Sequence, residues 1–246
     1  MKKNPLILSI TSGKGGVGKT FTTINLAATL SKAGNRVLVV DCDLGLANID
    51  IMLGINPPHT LQDVIFGHKK VRDILVSTKG GFDLVPSSSG VRDMAQLLFE
   101  KVELVKSMIL DFTDYDIILL DTGAGISEVV LQFNLLASRN LVVINRELTC
   151  LTDAYSMIKV MFQVFGRRDF GIIVNSIADE KEALRLFAHI NSICKKFLGF
   201  DLQYIGYILR DNLAAQSILT QNIAVLLAPD SKIADNFKKI SKNLMS

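Results

Sequence analysis

The chain has 246 residues, 49% of them hydrophobic and 21% charged, with 27 Lys and Arg against 24 Asp and Glu for a formal net charge of +3. A chain of this length buries roughly 70 to 75% of its extended surface, so one globular domain is the first expectation, and disorder is not expected. No apolar run reaches the roughly 18 residues of a bilayer span, and the weak positive charge without a basic stripe gives no strong nucleic-acid signal.

The N-terminus MKKNPLILSIT runs into a glycine-rich motif too early to be a secretory signal, which points to a cytoplasmic protein. Residues 6–11, LILSIT, predict a short buried strand, and Lys19 to Ala33 carries helical spacing up to Gly34. Between them, SGKGGVGKT at 12–20 satisfies G-x-x-x-x-G-K-[ST] through Gly13, Gly18, Lys19 and Thr20, with Gly15 and Gly16 in addition. Such a loop turns backbone N–H groups toward phosphate, and the helix behind it presents its positive end. Lys19 is therefore expected on the β and γ phosphates of ATP or ADP, and the Thr20 hydroxyl in the shell of Mg2+. Lys14 is an extra charge inside the loop, either solvated or a second phosphate contact that reaches across a dimer.

Residues 36–40, RVLVV, predict a second strand, so the chain makes a strand, crossover helix, strand unit of a parallel sheet. That strand leads into DCDLGLANID at 41–50. Asp41 and Asp43, two apart, share a face if the strand continues through them, and either carboxylate is placed to hold metal-bound water or orient an attacking one. Further strands are predicted at 82–85, 115–120, 140–144, 170–174 and 204–208, and helices at about 91–110, 127–137, 152–165 and 180–198. The alternation argues for a doubly wound, predominantly parallel α/β sheet of the P-loop NTPase fold, in one domain covering 1–246, with its ligand at the carboxyl ends of the strands. The strand before IILLDTGAGI at 117–126 delivers Asp121 to the metal region, and Gly123 and Gly125 then permit a mobile turn. Asn175 and Asp211 follow later strands, each readable as a base contact or as a turn or helix cap.

Cys42, Cys150 and Cys194 are too far apart for a CxxC pair, and with His59, His68 and His189 equally scattered a Cys/His metal site is not expected. At the end of the chain, SKIADNFKKISKNLMS at 231–246 spaces Ile233, Phe237, Ile240 and Leu244 helically with Lys232, Lys238, Lys239 and Lys242 opposite. Such a helix either packs on the body or binds an anionic membrane surface.

With Lys14 in SGKGGVGKT, the loop resembles the deviant Walker A signature of the MinD and ParA ATPases, in which two subunits sandwich two ATP molecules. The resemblance makes Lys14 the cross-dimer lysine, Lys19 the main phosphate lysine, Thr20 a magnesium ligand and Asp43 the residue that orients hydrolytic water. Asp41 stands beside it and Asp121 is the Walker B carboxylate. The nucleotide-binding set is then Gly13, Lys14, Gly15, Gly16, Val17, Gly18, Lys19, Thr20 and Phe21, joined by Asn175 and Asp211, with Thr20, Asp41, Asp43 and Asp121 toward the metal.

The resemblance is closer to the flagellar-number regulators FlhG and FleN, on DCDLGLANID, TLQDVI at 60–65, VPSSSGV at 85–91, DTGAGIS at 121–127 and LTDAYSMIK at 151–159. It implies an ATP-dependent homodimer that hydrolyses ATP and associates with membrane to control flagellar number or placement. Partner classes are an FlhF-type GTPase, a flagellar switch or C-ring protein and a flagellar transcription regulator. The alternatives are a MinD-like division-site ATPase, a ParA-like segregation ATPase and a P-loop small-molecule kinase or synthetase. Only MKKNP precedes the first strand, so the N-terminal activator segment of many such proteins is not expected here. Other departures are Phe21 for a threonine, Cys42 for an alanine, Leu148 and Cys150 for a proline and a serine, and Leu209-Arg210-Asp211 without a proline.

Overall fold

A computed structural model of the chain describes residues 4–43, 48–87 and 94–245. Residues 44–47 of DCDLGLANID and 88–91 of VPSSSGV lie outside the described residues, as does the predicted start of the 91–110 helix.

Strand β1 (Leu6–Ser12) leads into helix α1 (Lys19–Lys32), and β2 (Val37–Cys42) returns alongside. Short pieces follow: α2 (Ile49–Leu53), α3 (Leu61–Ile65), a 3-10 turn (Val71–Ile74), β3 (Val76–Ser77) and β4 (Asp83–Val85). Then come α4 (Met94–Leu110), β5 (Ile117–Ala124), α5 (Glu128–Leu136), β6 (Arg139–Ile144), α6 (Leu148–Phe165), β7 (Phe170–Ile177), α7 (Glu180–Leu198) and β8 (Gln203–Leu209). The chain closes with α8 (Asn212–Leu219), α9 (Ala224–Leu227) and α10 (Lys232–Met245).

The eight strands form one sheet in the order β3-β4-β2-β5-β1-β6-β7-β8, parallel except for the antiparallel β3–β4 pair. Alternation along the strands sends consecutive residues into two separate apolar layers. Leu8, Ile10, Val37, Val39, Ile117 and Leu119 belong to the layer beneath α1, whereas Ile7, Leu38, Val40, Ile118 and Leu120 belong to the layer with Val64, Val105 and Phe133 of α3, α4 and α5. Both faces are covered, so these strands read as continuous Val/Ile/Leu runs rather than as polar alternation.

Helix α7 shows how local chemistry sets the ends. Asp179 accepts a 2.8 Å hydrogen bond from the Glu182 amide at the start, Glu180 and Glu182 complement the positive end, and Lys195 and Lys196 the negative one. Chain reversal at β1 places the P-loop at the centre of the sheet: the connections run to β2 on one side, and after β5 to β6 on the other, leaving a crevice at the carboxyl ends.

Helix α10 lies on β8 and α1, with Ile233, Phe237 and Ile240 fully buried and Leu244 nearly so. The apolar face that suggested lipid binding is thus part of the core, and each such side chain contributes about 1.5 to 3 kcal/mol as an upper figure. Among the described residues, no helix is long and apolar enough to cross a membrane.

Candidate nucleotide site

The loop after β1 closes through glycines held in the left-handed region, Gly16 at φ 75° and Gly18 at φ 95°. A Cβ on Gly18 would lie 2.1 Å from Asn175 Nδ2, and one on Gly13 2.1 Å from the backbone of Asp153, so glycine is required at both places by close approach. Helix α1 starts at Lys19 with no side-chain cap and no acidic residue in its first turn. No side-chain cap and no acidic residue of its own first turn balance that positive end, which fits a bound phosphate.

Lys19 is buried, and that burial lowers its pKa against the opposing pull of Asp121 and Asp43. Asp121 lies within β5, in register with Asp41 of β2 on one side and Ile10 of β1 on the other. Both carboxyls are about 1% exposed. Burial pushes Asp121 up to about 6, opposed by hydrogen bonds from Thr23 and Thr20 and by the Lys19 charge. Asp41 is raised well above the ordinary carboxylate range, by burial first and by Asp121 second.

The expected roles separate on this geometry. β2 continues through Asp41 and Cys42 and ends before Asp43, so the two aspartates do not share a strand face. Asp41 accepts a 3.0 Å bond from the Asp43 amide and another from Ile49, which makes it an anchor for the chain leaving β2. Asp43 is half-buried, with Oδ1 3.5 Å from where a Cβ on Gly123 would sit. Gly123 is correspondingly a strand residue under close approach and not the turn expected of it, and the turn belongs to Gly125 at φ 91°. The Gly125 amide donates to the Ser12 carbonyl, tying this turn to the start of the P-loop.

Lys14 is partly exposed and paired within its own chain, with Nζ 2.5 Å from Glu147 Oε2 and 3.1 Å from Thr149 Oγ1. The Glu147 hydrogen bond raises the lysine and lowers the carboxyl.

Beside the loop opens a cavity of about 910 Å3 lined by Gly16, Val17, Gly18, Phe21, Asn175, Ser176, Arg210 and Asp211, among others. This is within the range of ligand pockets. Asn175 donates through Nδ2 to the Val17 carbonyl at 2.8 Å, so this residue, readable as a base contact or as a turn or cap, fastens the loop. Ser176 takes φ 58°, strained backbone for a non-glycine residue, at the rim of the same cavity. Asp211 lines the cavity too, but its Oδ1 accepts from the Leu213 amide as the cap of α8, the simpler of its two readings. Phe21 is buried edge-on against Phe237 of α10 with ring centroids 6.1 Å apart, which connects the phosphate helix to the C-terminal one.

Among the described residues no group of three His, Cys, Asp or Glu is arranged to hold a metal ion by itself. Thr20, Asp43 and Asp121 instead suit Mg2+, which is bound through few protein groups plus phosphate oxygens and water. Cys42, Cys150 and Cys194 are all buried free thiols. Sequence reading missed Thr23, Glu147 and Thr149. Thr23 had a signal, lying one helical turn beyond Thr20, whereas the other two have none before the chain is folded.

The family model described as the CobQ/CobB/MinD/ParA nucleotide binding domain matches residues 8–224. The antiactivator FleN of Pseudomonas aeruginosa is 36% identical over 98% of this chain and 86% of its own length. The flagellum site-determining protein YlxH of Helicobacter pylori is 30% identical over 100% of this chain and 83% of its own. Among solved structures, the septum site-determining protein MinD of Pyrococcus horikoshii complexed with Mg-ADP superposes with a TM-score of 0.81 at 28% identity, over 97% of this chain and 95% of that one.

Proposed function

The chain belongs to the CobQ/CobB/MinD/ParA nucleotide-binding family, with FleN and YlxH among its relatives, and from that premise we propose a Mg2+-dependent ATPase that regulates flagellar number or placement. The observation that carries the catalytic part is the buried Lys19 at the uncapped start of α1, with Asp121 and Asp43 close enough to oppose its desolvation. In this reading residues 1–246 act as one ATPase unit. The N–H groups of Gly13 to Thr20 and the Lys19 ammonium bind and orient the phosphates of ATP. Thr20 and Asp121 would hold Mg2+, which when bound would supply neutralisation of the charge on the phosphates. Asp43, half-buried and next to Gly123, orients water for attack. Asp41 keeps Asp43 in place by accepting its amide.

Dimerisation fits the same end of the molecule. Ile126 and Leu148, 51% and 78% exposed, flank the loop, since Leu148 follows Glu147 and Ile126 follows the residue bonded to Ser12. Exposed apolar groups around a phosphate site suit burial against a second copy, with Lys14 released from Glu147 to reach the partner's nucleotide. ATP then selects the dimer, and hydrolysis returns the monomer to the cytoplasm. A transcription regulator fits the antiactivator named among the relatives; an FlhF-type GTPase and a C-ring protein are the other partner classes proposed. Membrane association of the ATP state would require α10 to leave its place on β8, or another surface to serve.

ATP turnover by the full chain with Mg2+ tests the enzymatic part. Lys19→Ala and Asp43→Ala should each lower it by roughly two orders of magnitude, as expected for loss of a charge-stabilising or water-positioning group. Turnover that survives both substitutions contradicts the assignment.

A further inference from the structure

The second turn of α1 carries a hydroxyl to which the P-loop pattern assigns nothing. Thr23 is fully buried, and its Oγ1 donates a 2.7 Å hydrogen bond to Asp121 Oδ1, 98 residues away in sequence. The Lys19 carbonyl, the ordinary back-bonding partner of a helical threonine, lies farther, at 3.1 Å. Thr20 stands one turn earlier on the same helix face and also bonds to Asp121. Two hydroxyls thus meet one carboxyl that is buried in the middle of the sheet with Asp41 beside it. A carboxyl in that position needs donors to stay in one orientation, and α1 supplies them.

Resting on the Mg2+-nucleotide reading of the site, we propose that Thr23 is a positioning residue: its hydroxyl holds Oδ1 of Asp121 and fixes the carboxylate's rotamer, so that the carboxylate and the Thr20 hydroxyl bonded to it are presented together to the divalent cation. Thr23 itself touches neither nucleotide nor metal and acts through Asp121. Groups that orient a metal's ligands in this way govern how tightly the ion is held, while the phosphate cradle of glycines and Lys19 is independent of them.

The test is Mn2+ binding to the full chain saturated with ADP, read as loss of the free-Mn2+ electron paramagnetic resonance signal. Thr23→Val removes the donor at nearly unchanged shape and should weaken Mn2+ about tenfold, while Thr23→Ser, which keeps the donor, stays within about twofold of the parent. Metal-free ADP binding should stay within about twofold of the parent in both variants, because the cradle is untouched. Parental Mn2+ affinity in Thr23→Val overturns the proposal, and so does a Thr23→Ser protein as weak as Thr23→Val, since the lost methyl would then be the cause. If Thr23→Val does not fold, Thr23→Ala carries the same comparison against Thr23→Ser. A parent ADP complex that takes up no Mn2+ overturns the site reading itself, whereas parent binding left intact by Thr23→Val overturns only the role of Thr23.

Discussion

Asp121, the carboxyl proposed to hold Mg2+, also carries a stability cost. Its unfolded-state pKa is the ordinary 3.8 and its folded value about 6, so between those pH values the folded chain holds a proton that the unfolded chain has lost. Stability of the nucleotide-free protein from this group is therefore greatest at low pH and falls as pH rises through the folded value, by on the order of 2 to 3 kcal/mol. Asp121→Asn should accordingly raise the thermal midpoint of metal-free, nucleotide-free protein at pH 7.5, and that advantage should shrink toward pH 4.5. Equal midpoints at pH 7.5 would mean that the carboxyl is not held at that desolvation cost. Residues whose chemistry depends on a consecutive pattern, from Gly13 to Thr20, were readable in the sequence because the loop is one continuous segment. Thr23 with Asp121, and Lys14 with Glu147, were not, because each pair is 98 or 133 residues apart and only the folded sheet brings its members together.

Helix α10 was ambiguous for a physical reason: an apolar stripe opposite lysines satisfies both a protein core and a lipid surface. The structure commits the stripe to β8 and to Phe21, and a commitment of that kind has a measurable cost. Phe237→Ala should destabilise the protein by about 3 to 5 kcal/mol in urea unfolding, the range for truncating a fully buried phenylalanine. A loss below about 1 kcal/mol would mean that the helix is not docked in solution. The long elements were legible because apolar runs and helical spacing extend over many residues, and the predicted strands all exist. Their ends were not: β5 continues past Asp121 through Gly123, and β2 through Asp41, because pairing with neighbouring strands outweighs the local turn propensity of glycine and aspartate. Helices α2, α3 and α9 are too short to show a period at all.

At the scale of the molecule, the doubly wound class followed from alternating buried strands and helices, but the strand order did not, since sequence spacing contains no record of which strands become neighbours. That order is what gathers the P-loop, Asp43, Asp121 and the Gly125 turn at one end of the sheet, and it leaves Ile126 and Leu148 exposed there with Lys14. In the proposed function this end closes on a second copy when ATP is present. The solution mass of Asp43→Ala with Mg2+ and either ATP or ADP tests this most directly, because slowed hydrolysis should hold the ATP state in place. A doubled mass with ATP and the monomer mass with ADP is the expected result; a monomer with both nucleotides would contradict closure of this end on a second copy.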